Sequence, residues 1–235
     1  MEVLDVNTLS KSFGGIHAVD GLEFSVDEDE IVGLIGPNGS GKTTTFNLIT
    51  GFLKPDSGKV TFDGQEITNA KPYSIAKMGL GRTFQINRPF GRLTVFENML
   101  VPNIEGSTYS AETEEQIWSI LEELDIDHIA YSNANELSGG QKQLLELARV
   151  LMLDPKFILL DEPAAGVNPA LMDDIIDRIK RLNERGKTFL VVEHDMSVVR
   201  TLCERIIVMD SGRKIATGSF DEIQHDAKVK EAYLG

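Results

Sequence analysis

Cysteine is nearly missing from this chain: Cys203 stands alone among 235 residues, so no internal disulfide can form. It has no Cys or His neighbour at metal-ligand spacing, which leaves it as a small packing side chain near a helix end. Basic residues are also short. Lys and Arg number 23 against 37 Asp and Glu, a net charge of −14 that argues against a nucleic-acid-binding enzyme. No apolar run approaches the roughly 18 residues needed to span a bilayer. The opening MEVLDVNTLSKSF lacks the charged-then-apolar layout of a signal peptide, so a soluble, cytoplasmic chain is expected. No internal repeat, low-complexity tract or disordered tail is visible. The remainder, 41% hydrophobic and 26% charged, has the composition of a globular protein with one large domain, or one domain and a smaller subdomain.

Glycine is concentrated at residues 36–43, GPNGSGKT. Gly36, Gly41, Lys42 and Thr43 stand at the offsets of a P-loop, with Pro37, Asn38, Gly39 and Ser40 between them and Thr44 following. The apolar run Ile31 to Ile35 leads in as a buried strand, and Thr43 to Thr50 follows as a helix. Glycines let the backbone wrap closely around a phosphate, and amides at a helix start favour an anion there. Lys42 is placed to reach the β/γ-phosphates, and the Thr43 hydroxyl to hold Mg²⁺. The chain is therefore read as binding a nucleoside triphosphate, ATP with Mg²⁺.

Short apolar strands are predicted at Val3 to Val6, Leu22 to Val26, Ile31 to Ile35 and Lys59 to Phe62, the last entering a tight turn at Asp63-Gly64. Between about 94 and 136 the pattern turns helical: Ile117, Ile120, Leu121 and Leu124 fall on one face, and Ser110 is a candidate N-cap. Trp118 beside that face is read as packing. From Gln141 onward helices alternate with strands at Phe157 to Leu160, Thr188 to Val192 and Arg205 to Met209, the mark of a parallel α/β sheet covered on both faces.

Two further pieces carry chemistry. Asp161 ends the first of these later apolar runs, Phe157 to Leu160, and Glu162 follows at once. Two adjacent acids there are costly to bury without a cation, so a metal site is the simpler account. Asp161 is assigned to Mg²⁺ and Glu162 to activation of the attacking water. Ser138 opens a helix predicted over Gln143 to Leu151, and Gly139 and Gly140 leave their N–H groups open to an anion. A second anion site beside a single P-loop means either two phosphate ligands or a helix that completes another chain's ATP site.

With GPNGSGKT upstream and FILLDEP downstream, LSGGQ at 137–141 resembles the nucleotide-binding subunits of ATP-binding cassette (ABC) transporters, over essentially the whole chain. The resemblance implies a single cassette domain, 1–235. Its fold would be a RecA-like α/β P-loop core with an N-terminal antiparallel β portion and a helical subdomain at about 94–136. It also implies two cassettes paired head to tail, each ATP lying between one P-loop and the partner's Ser138, Gly139, Gly140 and Gln141. By the same resemblance Phe13 stacks on adenine, Gln85 contacts Mg²⁺ and water and senses the membrane partner, and His194 contacts the γ-phosphate. Asn168 departs from the family: it stands where many relatives carry an Asp in the dimer-contact loop, which bears on coupling between sites.

AAGVNP after Glu162, Thr83-Phe84-Gln85 followed by Arg88-Pro89-Phe90, and the terminal Ala232-Tyr233-Leu234-Gly235 resemble the ATPases of branched-chain amino-acid importers. Urea importers and lipopolysaccharide exporters share parts of these signals. The implied partners are a second cassette, the same or a sister chain, integral membrane permease subunits and, indirectly, an external substrate-binding protein, with no nucleic acid. The implied location is the cytoplasmic face of the membrane. Pro89, Phe90 and Phe96 are candidates for the groove that receives the permease. A soluble cassette ATPase of DNA repair or translation would carry a second cassette or a long coiled-coil insertion, and this chain shows neither. A module using ATP only as a structural switch would lack Glu162.

Overall fold

A computed structural model describes residues 1–83, 89–103 and 110–234. In chain order its strands are β1 (Glu2–Phe13), β2 (Ile16–Asp27), β3 (Ile31–Ile35), β4 (Ser57–Phe62), β5 (Gln65–Glu66), β6 (Leu80–Arg82), β7 (Phe157–Asp161), β8 (Thr188–Val192), β9 (Arg205–Asp210) and β10 (Arg213–Gly218). The helices are α1 (Lys42–Ile49), α2 (Pro72–Lys77), α3 (Val95–Leu100), α4 (Ala111–Glu123), α5 (Gly139–Leu151), α6 (Pro169–Glu184), α7 (Met196–Leu202), α8 (Phe220–His225) and α9 (Ala227–Leu234).

Two sheets form. One, in the order β2-β1-β4-β5, is antiparallel; the other runs β10-β9-β3-β8-β7-β6, parallel except for β10 on β9. The parallel sheet explains the continuous apolar runs. β3, β7 and β8 are buried at every position, because a sheet covered on both faces leaves no side for polar residues. Alternate residues then serve opposite cores. Val32, Leu34, Phe157, Leu159, Leu190, Val192, Ile207 and Met209 join α1 and the antiparallel sheet in one core. Ile31, Ile35, Ile158, Leu160, Phe189, Val191, Ile206 and Val208 face the other way, onto residues of α3 to α7.

The helical stretch builds on strong starts. Thr94 and Glu97 close a capping box on α3, and Ser110 caps α4 by accepting from the Thr113 N–H. Ile117, Ile120 and Leu121 of α4 are buried, with Leu124 beyond its end. Phe96 packs between Trp118 and Tyr131, with ring centroids 5.5 and 6.4 Å away. Arg178 of α6 donates from Nε to the Leu124 carbonyl at 2.7 Å, which ties this stretch to the core.

Several elements differ from their sequence reading, among them β2, which spans Ile16–Asp27 where Leu22 to Val26 is predicted. β1 is far longer than Val3 to Val6, because its alternation breaks where Thr8 takes a φ of 45° and the register shifts between Val6 and Leu9. α5 starts four residues before Gln143, since Ser138 caps it directly. α1 begins at Lys42, one residue before Thr43. Among the described residues, no helix is long and apolar enough to cross a membrane.

Candidate active site

Parallel strands deliver their C-terminal ends to one edge, and the loops that follow β3, β7 and β8 carry the chemistry. After β3 the chain turns at Gly36 (φ 153°), Gly39 (φ 82°) and Gly41 (φ 104°) before α1 begins. Glycine is required at two of these by space as well as torsion. A Cβ on Gly36 would lie 2.1 Å from the Met209 carbonyl oxygen, and one on Gly41 would lie 2.3 Å from that of Ala18. The Gly212 N–H, in the turn between β9 and β10, donates to the Ser40 carbonyl at 3.0 Å and braces the loop. Lys42 Nζ donates to the carbonyls of Gly36 and Pro37 at 2.7 and 3.0 Å. Burial lowers its pKa, opposed by the nearby Glu162 and Asp161 carboxylates. Asn38, Gly39 and Thr43 are exposed, Pro37 and Thr44 half-buried and Ser40 buried.

Asp161 closes β7 with a side chain only 3% exposed, and its counter-ion is Arg82 at the end of β6, 7% exposed, with Nη2 to Oδ2 at 3.0 Å. The chain thus supplies one cation beside Asp161 itself. Arg82 also donates to Asn47 Oδ1 at 2.7 Å and to Thr50 Oγ1 at 3.1 Å. Burial pushes the Asp161 carboxyl up despite Arg82. Its Oδ1 is buried and has no hydrogen-bond partner among the described residues.

Glu162, directly after β7, takes a φ of 51°, a left-handed conformation uncommon for a residue with a side chain. Its N–H donates to the Val192 carbonyl at 2.9 Å, and its carbonyl accepts from Gln143 Nε2 of α5 at 3.2 Å. The carboxylate points toward the loop after β8, where His194 Nδ1 lies 3.9 Å from Oε2. His194 is largely exposed; its neighbour Glu193 is buried, 1% exposed, and burial raises that carboxyl's pKa against three backbone hydrogen bonds. Lys42, Asp161, Glu162 and His194 thus gather at one edge of the parallel sheet.

The LSGGQ segment opens α5. Ser138 Oγ accepts from the Gln141 N–H at 3.3 Å and Gln141 Oε1 accepts from the Ser138 N–H at 3.0 Å, a capping box that occupies the Gln141 side chain. The two glycines have a packing reason beyond open amides. A Cβ on Gly140 would lie 2.0 Å from Leu171 Cδ2, and one on Gly139 would lie 2.7 Å from the Gly166 carbonyl. Ser138 and Gly139 are exposed. Asn168 uses Oδ1 to cap α6, accepting from the Leu171 N–H at 2.9 Å, so its oxygen is engaged within the chain.

Phe13 ends β1 half-exposed, with Lys11 Nζ 5.7 Å from its ring centre. Gln85 lies outside the described residues, as do Phe84, Arg88 and Gly235. Phe90 is exposed with Arg149 stacked 5.2 Å over its ring, whereas Phe96 is partly buried. Beside them a cleft of about 890 Å³ runs from Thr43, Arg82 and Asp161 past Phe52 and Tyr73 to Glu146, Arg149 and Leu153. Arg82, Gln143 and Glu193 carry no motif of their own; each is recognised only through the partner it meets in space.

Comparison with known proteins agrees with this arrangement. A family profile described as "ABC transporter" matches residues 19–165, and one described as "Branched-chain amino acid ATP-binding cassette transporter" matches residues 213–235. A protein of Archaeoglobus fulgidus named as a probable branched-chain amino acid transport ATP-binding protein, LivG, is 42% identical, covering 100% of this chain and 96% of its own length. The lipopolysaccharide export system ATP-binding protein LptB of Haemophilus influenzae is 39% identical, covering 100% and 98%. A solved ATP-binding cassette of an ABC transporter in its ADP conformation superposes with a TM-score of 0.94 at 40% identity, covering 100% of this chain and 99% of the other. A dimeric bacterial ABC transporter cassette does so with 0.82 at 30% identity, covering 92% and 98%. With a P-loop, the acid pair after β7 and a capped LSGGQ helix on a fold shared from end to end, this chain belongs to the ABC transporter family, as one of its ATP-hydrolysing cassettes.

Proposed function

We propose that this cassette energises a membrane permease for uptake of branched-chain amino acids, acting as one of a head-to-tail pair at the cytoplasmic face of the membrane. The observation that carries the substrate class is the match of residues 213–235 to the branched-chain amino acid profile, alongside a full-length LivG relative. The full-length likeness to LptB supports a second reading, lipopolysaccharide export. Pairing is supported by a dimeric relative and by the exposure of Ser138 and Gly139 at the start of α5. The domain is read as a single unit, 1–235, with the helical part at about 94–136 and the neighbouring cleft turned to the permease. Phe52 and Tyr73 supply exposed apolar surface there.

In the mechanism, the amides of residues 36–44 and Lys42 bind the triphosphate, and Phe13 offers its exposed ring face to the base. Thr43 and Asp161, with Gln85, would hold Mg²⁺. The unpartnered, buried Asp161 Oδ1 fits this role. When bound, the ion neutralises charge on the β- and γ-phosphates. Glu162 accepts the proton of the attacking water, and His194 orients the γ-phosphate end of the substrate. The partner's Ser138, Gly139, Gly140 and Gln141 close the site from the other side.

The test is uptake. Deleting the gene should abolish accumulation of labelled leucine, isoleucine and valine, restored by the wild-type chain and not by Lys42→Ala. Unchanged amino-acid uptake with failed lipopolysaccharide or urea transport would overturn the substrate class and leave the ATPase intact.

A further inference from the structure

Two loops carry the residues proposed to act on the γ-phosphate: that after β7 with Glu162, and that after β8 with His194. They are joined by one buried side chain. Glu193 Oε1 accepts from the Ala164 N–H at 2.7 Å, two residues beyond Glu162. Glu193 Oε2 accepts from the His194 N–H at 2.9 Å and the Asp195 N–H at 3.3 Å. We infer that Glu193 is a positioning residue, holding Glu162 and His194 at the separation that hydrolysis requires. The inference rests on the roles proposed for those two residues.

The chemistry of the side chain supports this over a simple space-filling role. Three N–H groups from two loops converge on two oxygens, and only a carboxylate offers acceptors at both ends. An amide would aim its NH₂ at one set of N–H groups, so Glu193→Gln must release one loop while filling the same volume. The backbone nearby needs such restraint. Glu162 sits at a φ of 51°, and besides the Glu193 link its peptide is pinned by the Val192 carbonyl and by Gln143. Non-glycine residues remain in that conformation only where the surroundings enforce it. On the other side the His194 ring is largely exposed, with Nδ1 3.8 Å from Glu193 Oε2 and 3.9 Å from Glu162 Oε2. Its backbone link to Glu193 is therefore the anchor that sets where the ring begins.

The experiment is single-turnover ATP hydrolysis by the full chain, with nucleotide binding measured in parallel. Glu193→Gln should bind ATP within about 2-fold of wild type and hydrolyse it about 10-fold or more slowly. Glu193→Asp, which keeps the charge and shortens the reach, should fall between the two. Because Glu193 acts through Glu162 and His194, adding Glu193→Gln to a chain that already carries Glu162→Gln and His194→Ala should change the residual rate by less than about 2-fold. A purely structural role gives the reverse: loss of binding in step with loss of hydrolysis, and a further multiplied defect in the combined variant. That result, or a Glu193→Gln chain as fast as wild type, overturns the inference. If Glu193→Gln fails to bind ATP, Glu193→Asp is read by the same criteria. Should His194→Ala and Glu162→Gln both run at the wild-type rate, the roles assigned to those residues fall; should they be slow while Glu193→Gln is fast, only the present inference does.

Discussion

Replacing Arg82 with methionine removes the cation paired with Asp161 and keeps most of the volume beside the Phe46 and Phe52 rings, which lie 5.6 and 5.9 Å from the guanidinium. With side chains 7% and 3% exposed, the pair is fully inside the protein. Leaving one member of such a pair alone costs about 3–5 kcal/mol. In a domain of this length each kcal/mol moves the midpoint by about 2–4 °C, so Arg82→Met should melt about 6–20 °C lower without nucleotide. Removing the stranded charge as well, in Arg82→Met with Asp161→Asn, should recover most of the loss. The pH dependence has a definite sign. Burial already raises the Asp161 carboxyl, and Arg82 is the main opposing influence. A carboxyl whose folded pKa is raised binds its proton more tightly in the folded state, so its contribution to stability falls as pH rises from the ordinary carboxylate value through the folded one. The Arg82→Met defect should therefore shrink as pH is lowered from about 8 to about 5.5. Differential scanning calorimetry across that range is the assay. A loss below about 1 kcal/mol, or a double variant as unstable as the single one, would refute the ion-pair account.

Other expectations follow from the same geometry. Glu162→Gln should keep ATP affinity and lower kcat about 10²-fold or more, measured by phosphate release. Ser138→Ala should cost about 1 kcal/mol through the lost cap of α5, read in denaturant unfolding, while Ser138→Arg should abolish turnover without weakening nucleotide binding to the single chain. Cys203, pushed up to about 12 by burial, should resist thiol reagents at pH 8 until the protein unfolds, and fast labelling of the native chain would contradict its placement.

The parallel sheet is legible in the sequence because strands buried on both faces must be apolar throughout, as in Ile31 to Ile35 and Thr188 to Val192. The P-loop is legible for a related reason: Gly36 and Gly41 answer to backbone carbonyls little more than 2 Å from where a Cβ would stand. β1 was only half visible, since register shifts and the turn at Thr8 break its alternation. Arg82 and Glu193 carry no periodic or motif signal. The Asp161 partner of Arg82 and the Ala164 partner of Glu193 lie 79 and 29 residues away in sequence, and every hydrogen bond accepted by Glu193 comes from a backbone N–H that almost any residue would supply. The acid pair after β7 could be read as chemistry, but the ion already neutralising Asp161 required the fold.

The central claim is that one chain holds two halves of different sites. Lys42→Ala and Ser138→Arg chains should each be inactive alone. Mixed in equal amounts, they should recover hydrolysis, because a mixed pair joins the intact P-loop of one chain to the intact LSGGQ helix of the other. Recovery of activity on mixing, rising with total protein concentration, is the predicted result; mixtures as inactive as their components, or a Ser138→Arg chain active by itself, would contradict the shared site.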